Sequence, residues 1–119
     1  MQYLKNYLNK IIAQGNEKLA ESISHTAEEV GNKYIKNFSF TSHEIGLLFG
    51  NVQSGKTGQM FGIISKATDL GFPVFVLLTT DNVVLQQQTL DRVKADLDGY
   101  CICENRKRSV ESYYSKSRL

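Results

Sequence analysis

An α/β fold, a partial parallel sheet preceded by an amino-terminal helical segment, is what this 119-residue sequence predicts. Three observations lead there. From residue 44 onward, short apolar runs alternate with helix-length stretches, the pattern of strands joined by right-handed crossovers. Between the first run and the first such helix stands Gly50-Asn-Val-Gln-Ser-Gly-Lys-Thr57, a glycine-rich turn. Ahead of both, about forty residues carry apolar side chains at the three- and four-residue spacing of helices.

Each element has its own signal. Tyr3, Leu4, Tyr7, Leu8, Ile11 and Ile12 recur at helical spacing, and Gly15 marks the stop. Asn16 is placed to cap a second helix with apolar positions Leu19, Ala20, Ile23, Ala27, Val30 and Tyr34. Thr26 and Glu29 have capping-box spacing, which predicts a break near Ser24 and a restart. Phe38-Ser-Phe40 alternates as a short strand does. Ile45-Gly-Leu-Leu-Phe49 reads as a buried strand ending at Gly50. A helix fits Lys56 to Leu70, closed by Gly71. Pro73-Val-Phe-Val-Leu-Leu78 reads as a second buried strand, its proline at the permitted first position. Asp81 or Asn82 caps a helix to about Leu97, ended by Gly99, and Tyr100-Cys-Ile-Cys103 is a third strand candidate.

Composition narrows the class. Hydrophobic residues at 41% and charged residues at 22% exclude a disordered or collagen-like chain. The net charge of +2 is unevenly placed: from residue 104 onward Arg106, Lys107, Arg108, Lys116 and Arg118 face only Glu104 and Glu111. Such a tail suits either phosphate or a solvated end. No apolar run approaches the ~20 residues of a membrane span, and the start lacks the apolar core of a signal peptide. The expected location is the cytoplasm. Cys101 and Cys103 are too close for an easy disulfide and too few for a zinc site. His25 and His43 have no ligand cluster around them and read as ordinary surface or helix residues.

The central turn carries the chemistry. Gly50, Gly55, Lys56 and Thr57 match all four fixed positions of G-x-x-x-x-G-K-[ST], the phosphate-binding P-loop. With glycine near 7% of residues, a chain this long matches by accident on the order of once in a few hundred. The two glycines permit a backbone that turns successive N–H groups inward. The helix that follows presents its positive end to an anion. Lys56 would reach the β- and γ-phosphates, and the Thr57 hydroxyl would ligate Mg²⁺. The expected nucleotide site is Gly50, Gln53, Ser54, Gly55, Lys56, Thr57 and Gly58, with ATP and Mg²⁺ as ligands. On this reading residues 1–40 are a helical lead-in and residues 41–119 the front part of a P-loop NTPase domain.

Beyond the loop, Thr79-Thr-Asp-Asn82 leads into Val-Val-Leu-Gln-Gln-Gln-Thr-Leu-Asp-Arg92. This resembles superfamily-two helicases, in which a polar strand end leads to a helix beginning Leu-x-x-Gln, as Leu85 and Gln88 do here. Asp81-Asn82 stand where that family usually has Pro-Thr. The closer likeness, over about residues 44–95, is to the Z-one domain, a helicase-like ATPase associated with endonucleases in bacterial restriction and defence. Val52 to Thr57, and Asn82, Leu85, Gln88 and Thr89, carry it. The resemblance implies a RecA-like sheet, ATP hydrolysis and DNA as partner. It also implies nucleic-acid backbone contacts from Thr79, Thr80 and Asn82, to which Arg92 and the Arg106–Arg108 cluster would add charge.

The acidic pair that such ATPases use for Mg²⁺ and the attacking water has no counterpart after residue 79. The sequence is therefore expected to be the amino-terminal part of a longer protein, an ATP hydrolase when whole, with the 119 residues inactive alone. Two other readings stand beside it: a P-loop small-molecule or nucleoside kinase, and a nucleotide-binding remnant that does not hydrolyse.

Overall fold

The computed structural model describes residues 2–49, 56–79 and 82–104. Its elements are α1 (Tyr3–Ala13), α2 (Glu17–Val30) with a π-helical turn at Gly31–Ile35, α3 (Lys56–Asp69) and α4 (Val83–Asp96). α1, α2 and α3 pack on one another in every pairing, and the end of α4 closes the core with Val93 and Leu97.

The helical periodicity of the first thirty residues translates directly into burial. Leu4, Tyr7 and Ile11 form the inward stripe of α1, and Ala20, Ile23 and Ala27 that of α2. α1 stops where Gly15 takes φ +86°, with Gly15 N–H donating to Ile12 O and Asn16 N–H to Ile11 O. α3 stops in the same way: Gly71 has φ +99°, its N–H donates to Thr68 O, and Phe72 N–H donates to Ala67 O. Both are Schellman ends, and glycine meets the left-handed position without strain. The start of α1 is capped from a distance, since the Asp69 carboxylate accepts from Tyr3 N–H at 2.9 Å and Leu4 N–H at 3.2 Å.

The expected break near Ser24 does not occur. α2 runs unbroken through it, because Ile23 and Ala27 on either side are buried in one face. The irregularity comes later, at Gly31, where a Cβ would lie 2.6 Å from Lys66 Cγ. The Lys66 stem occupies that space and its ammonium reaches Glu28 at 2.9 Å. α3 approaches α2 closely for a related reason. A side chain at Gly62 would run into Ile23, and one at Gly58 would stand 3.3 Å from Ile23 Cδ1.

The predicted α/β class is overturned. Among the described residues there are four α-helices, no strand and no sheet, so the parallel-sheet, RecA-like arrangement is absent from them. At 38–40, Ser42 N–H and Oγ–H both donate to Ser39 O, and Ser39 Oγ pairs with Thr41 Oγ1 at 2.7 Å. These local bonds turn the backbone and compete with a ladder. Phe38, Phe40 and Phe72 gather beside the turn, with ring centroids 5.3–6.1 Å apart.

At 45–49 the whole run is exposed, Ile45 and Phe49 each to 88%. At 73–78 only Phe75 and Leu77 lean on the core, while Val74, Val76 and Leu78 face outward. At 100–103 Tyr100 turns in and both cysteines are free and exposed. The physical reason is common to the last three. A buried strand needs backbone partners and cover on both faces, and α1 and α2 occupy the apolar face of α3 that would have covered a sheet.

Candidate functional site

Of the expected phosphate cradle, Gly50, Gln53, Ser54 and Gly55 lie outside the described residues. Lys56, Thr57 and Gly58 are the first turn of α3. Lys56 is exposed, Thr57 half-buried and Gly58 buried. Lys56 is the first described residue of that helix. The first N–H groups of an α-helix have no intrahelical acceptor, and the helix dipole adds partial positive charge at that end. An exposed ammonium on the same turn adds a full charge. Helix N-terminal turns that carry such a cation are a common setting for anions.

Gly58 has a second role that the motif does not announce. The Tyr7 hydroxyl donates to Gly58 O at 3.3 Å and lies 3.5 Å from where a Gly58 Cβ would be. Next along the turn, Gln59 is buried, and its Nε2 donates to Ser22 Oγ at 3.0 Å. Its Oε1 is buried with no partner among the described residues. Of the residues near the site, sequence reasoning passed over Ser22 and Gln59 and read Tyr7 and Ile23 only as apolar helix positions. One signal could have found them. Gly58 and Gly62 are four apart inside a helix, where each costs about 1 kcal/mol against alanine, and such glycines usually have a packing reason.

For Mg²⁺, the half-buried Thr57 hydroxyl is the oxygen that the described part of the loop offers. No group of three or more His, Cys, Asp or Glu side chains among the described residues could hold a metal.

The expected nucleic-acid residues are dispersed in role. Thr79 is exposed and Thr80 lies outside the described residues. Asn82 caps α4: its Oδ1 accepts from Val84 N–H at 2.9 Å and Leu85 N–H at 3.2 Å. Arg92 is engaged locally, its guanidinium 5.6 Å from the Phe61 ring centroid and 3.5 Å from Asp96. The Arg106–Arg108 cluster lies outside the described residues.

A small cleft is lined by Tyr3, Asn6, Tyr7, Ser65, Asp96 and Tyr100. Burial pushes the Tyr7 hydroxyl up to about 12, with the Asp96 carboxylate adding to the shift and the Arg92 guanidinium opposing it. Tyr7 therefore stays protonated at neutral pH and remains a donor to Gly58 O. Burial also raises Tyr100, whose Oη pairs with Thr68 Oγ1 at 2.7 Å.

No helix among the described residues is long and apolar enough to cross a membrane. Comparison with protein families, with curated proteins and with solved structures finds no significant match to this chain.

Proposed function

We propose that this chain binds a nucleoside triphosphate, ATP with Mg²⁺, through residues 50–58. One observation supports this most: the Lys-Thr pair of a complete G-x-x-x-x-G-K-[ST] motif lies on the first described turn of α3. The phosphate-binding chemistry of such a turn is local. It needs glycine backbone, free N–H groups and one cation, and does not itself require a sheet. The wider setting is a helicase-like, DNA-acting ATPase of restriction or defence. That part rests on the resemblance of the loop and of residues 79–92.

Calorimetry of Mg²⁺-ATP binding tests the proposal. Lys56→Ala removes the cation nearest the phosphates and should weaken binding at least tenfold, about 1.4 kcal/mol. Lys5→Ala, an exposed lysine on α1, should leave it unchanged. Thr57→Ala should chiefly remove the dependence on Mg²⁺. Equal affinity in the parent and Lys56→Ala rejects the site.

A further inference from the structure

We propose that the α1–α2 hairpin clamps the first turn of α3 and sets its affinity for phosphate, with Tyr7 as the positioning residue. This rests on the nucleotide reading above and adds a part to it.

The first turn of α3 is weak by its own chemistry. Gly58 and Gly62 lie within it and just beyond it, and glycine is a poorer helix former than alanine. A helix terminus attracts anions only while its N–H groups stay aligned, since the dipole effect acts within that turn. Two neighbouring helices supply the alignment. From α1, the Tyr7 hydroxyl bonds Gly58 O, and its ring meets Phe61 edge-on, with centroids 6.3 Å apart. From α2, Ile23 covers Gly58, and Ser22 accepts from the Gln59 side chain. The residues held are those that follow Lys56 and Thr57 directly. α1 is also tied to the far end of α3 through Asp69.

Affinity is then coupled to the hairpin, and by reciprocity a bound nucleotide stabilises the hairpin. A purely structural Tyr7 would lower stability when altered and leave nucleotide affinity alone.

The experiment compares two hydroxyl deletions in the full chain. Tyr7→Phe removes the bond to Gly58 O. Tyr100→Phe removes a bond of similar kind to Thr68, near the opposite end of α3. Both should lower the thermal midpoint by comparable amounts. Only Tyr7→Phe should weaken Mg²⁺-ATP, by three- to tenfold. Without nucleotide, amide hydrogen exchange at Phe61 and Gly62, whose N–H groups bond back into the first turn, should quicken in Tyr7→Phe alone. Should Tyr7→Phe fail to fold, Ser22→Ala at an exposed position replaces it, with a smaller weakening of the same sign. Parent-like affinity in the altered chain, or an equal loss in Tyr100→Phe, overturns the clamp and leaves the loop reading standing. Absence of Lys56-dependent binding in the parent overturns both.

Discussion

Residues 56–69 and residues 45–49 are both rich in apolar side chains, yet the first stretch holds the fully buried Phe61 ring and the second is exposed throughout. Phe61 is 0% exposed and Phe49 is 88% exposed. The difference lies in the backbone. A helix satisfies its own N–H and C=O groups, so α3 can bury a stripe against any neighbour with a matching stripe. A strand leaves its hydrogen bonds to be made by another strand. Hydrophobicity alone therefore decides burial for α3 and leaves it undecided for 45–49.

The largest expected effect breaks this comparison outright if it fails. Phe61→Ala should destabilise the chain by about 3–5 kcal/mol in urea unfolding, the usual cost of emptying a packed aromatic site. Phe49→Ala should stay within about 0.5 kcal/mol, as exposed substitutions do. Similar losses at the two sites would mean that 45–49 is part of the core.

Glycines sharpen the same contrast. Gly62→Ala drives a methyl into the fully buried Ile23 and should cost about 1–3 kcal/mol. Gly46→Ala meets open space and should be neutral or stabilising by up to about 1 kcal/mol, through the entropy of the unfolded chain. Thermal melts of the pair read the difference.

A smaller effect is expected at the start of α4. Asn82→Ala removes the side-chain acceptor for two helix N–H groups and should cost about 1 kcal/mol. Thr79→Ala, at an exposed position, should cost less than half of that. The same two variants bear on the DNA reading. A cap predicts lost stability at Asn82 alone, whereas a nucleic-acid contact predicts weaker DNA binding from both.

At neutral pH the smallest effect comes from titration. The Tyr7 hydroxyl is raised in the folded chain to about 12 from 10.0. Folding thus holds its proton more tightly, and the associated stability is complete below pH 10. It is lost as pH rises from 10 toward 12. An alkaline unfolding series should show that loss in the parent, and Tyr7→Phe should flatten it.

Much of the helical part was legible in the residues. The spacing of Leu4, Tyr7 and Ile11, the stop at Gly15, the closure at Gly71 and a cap at Asp81 or Asn82, which falls to Asn82, are local signals. Each was realised because the interactions involved span one or two turns. The capping-box spacing of Thr26 and Glu29 misled, since burial of Ile23 and Ala27 on one continuous face outweighs a possible restart. The strand signals misled for a different reason. A short apolar run states only that cover is needed, and its partners lie elsewhere in the chain. Of the candidate site, the motif and the helix that follows were legible, because both are local. Tyr7 was legible only as a core position. Its hydroxyl meets Gly58 across 51 residues of sequence separation, and no spacing rule encodes such a meeting.

The sequence by itself determined the glycine stops at Gly15 and Gly71 and the apolar stripes of α1 and α2, and it carries a complete G-x-x-x-x-G-K-[ST] motif at the head of α3. Caps, glycine stops and apolar stripes act within a few residues, so they are written in order along the chain. Only the tertiary structure decided what α3 packs against. The face available to a sheet was taken by α1 and α2, because two glycines let α2 approach α3 closely enough for Ile23 to lie against both. Close approach depends on which surfaces meet in space, and residue order does not specify that.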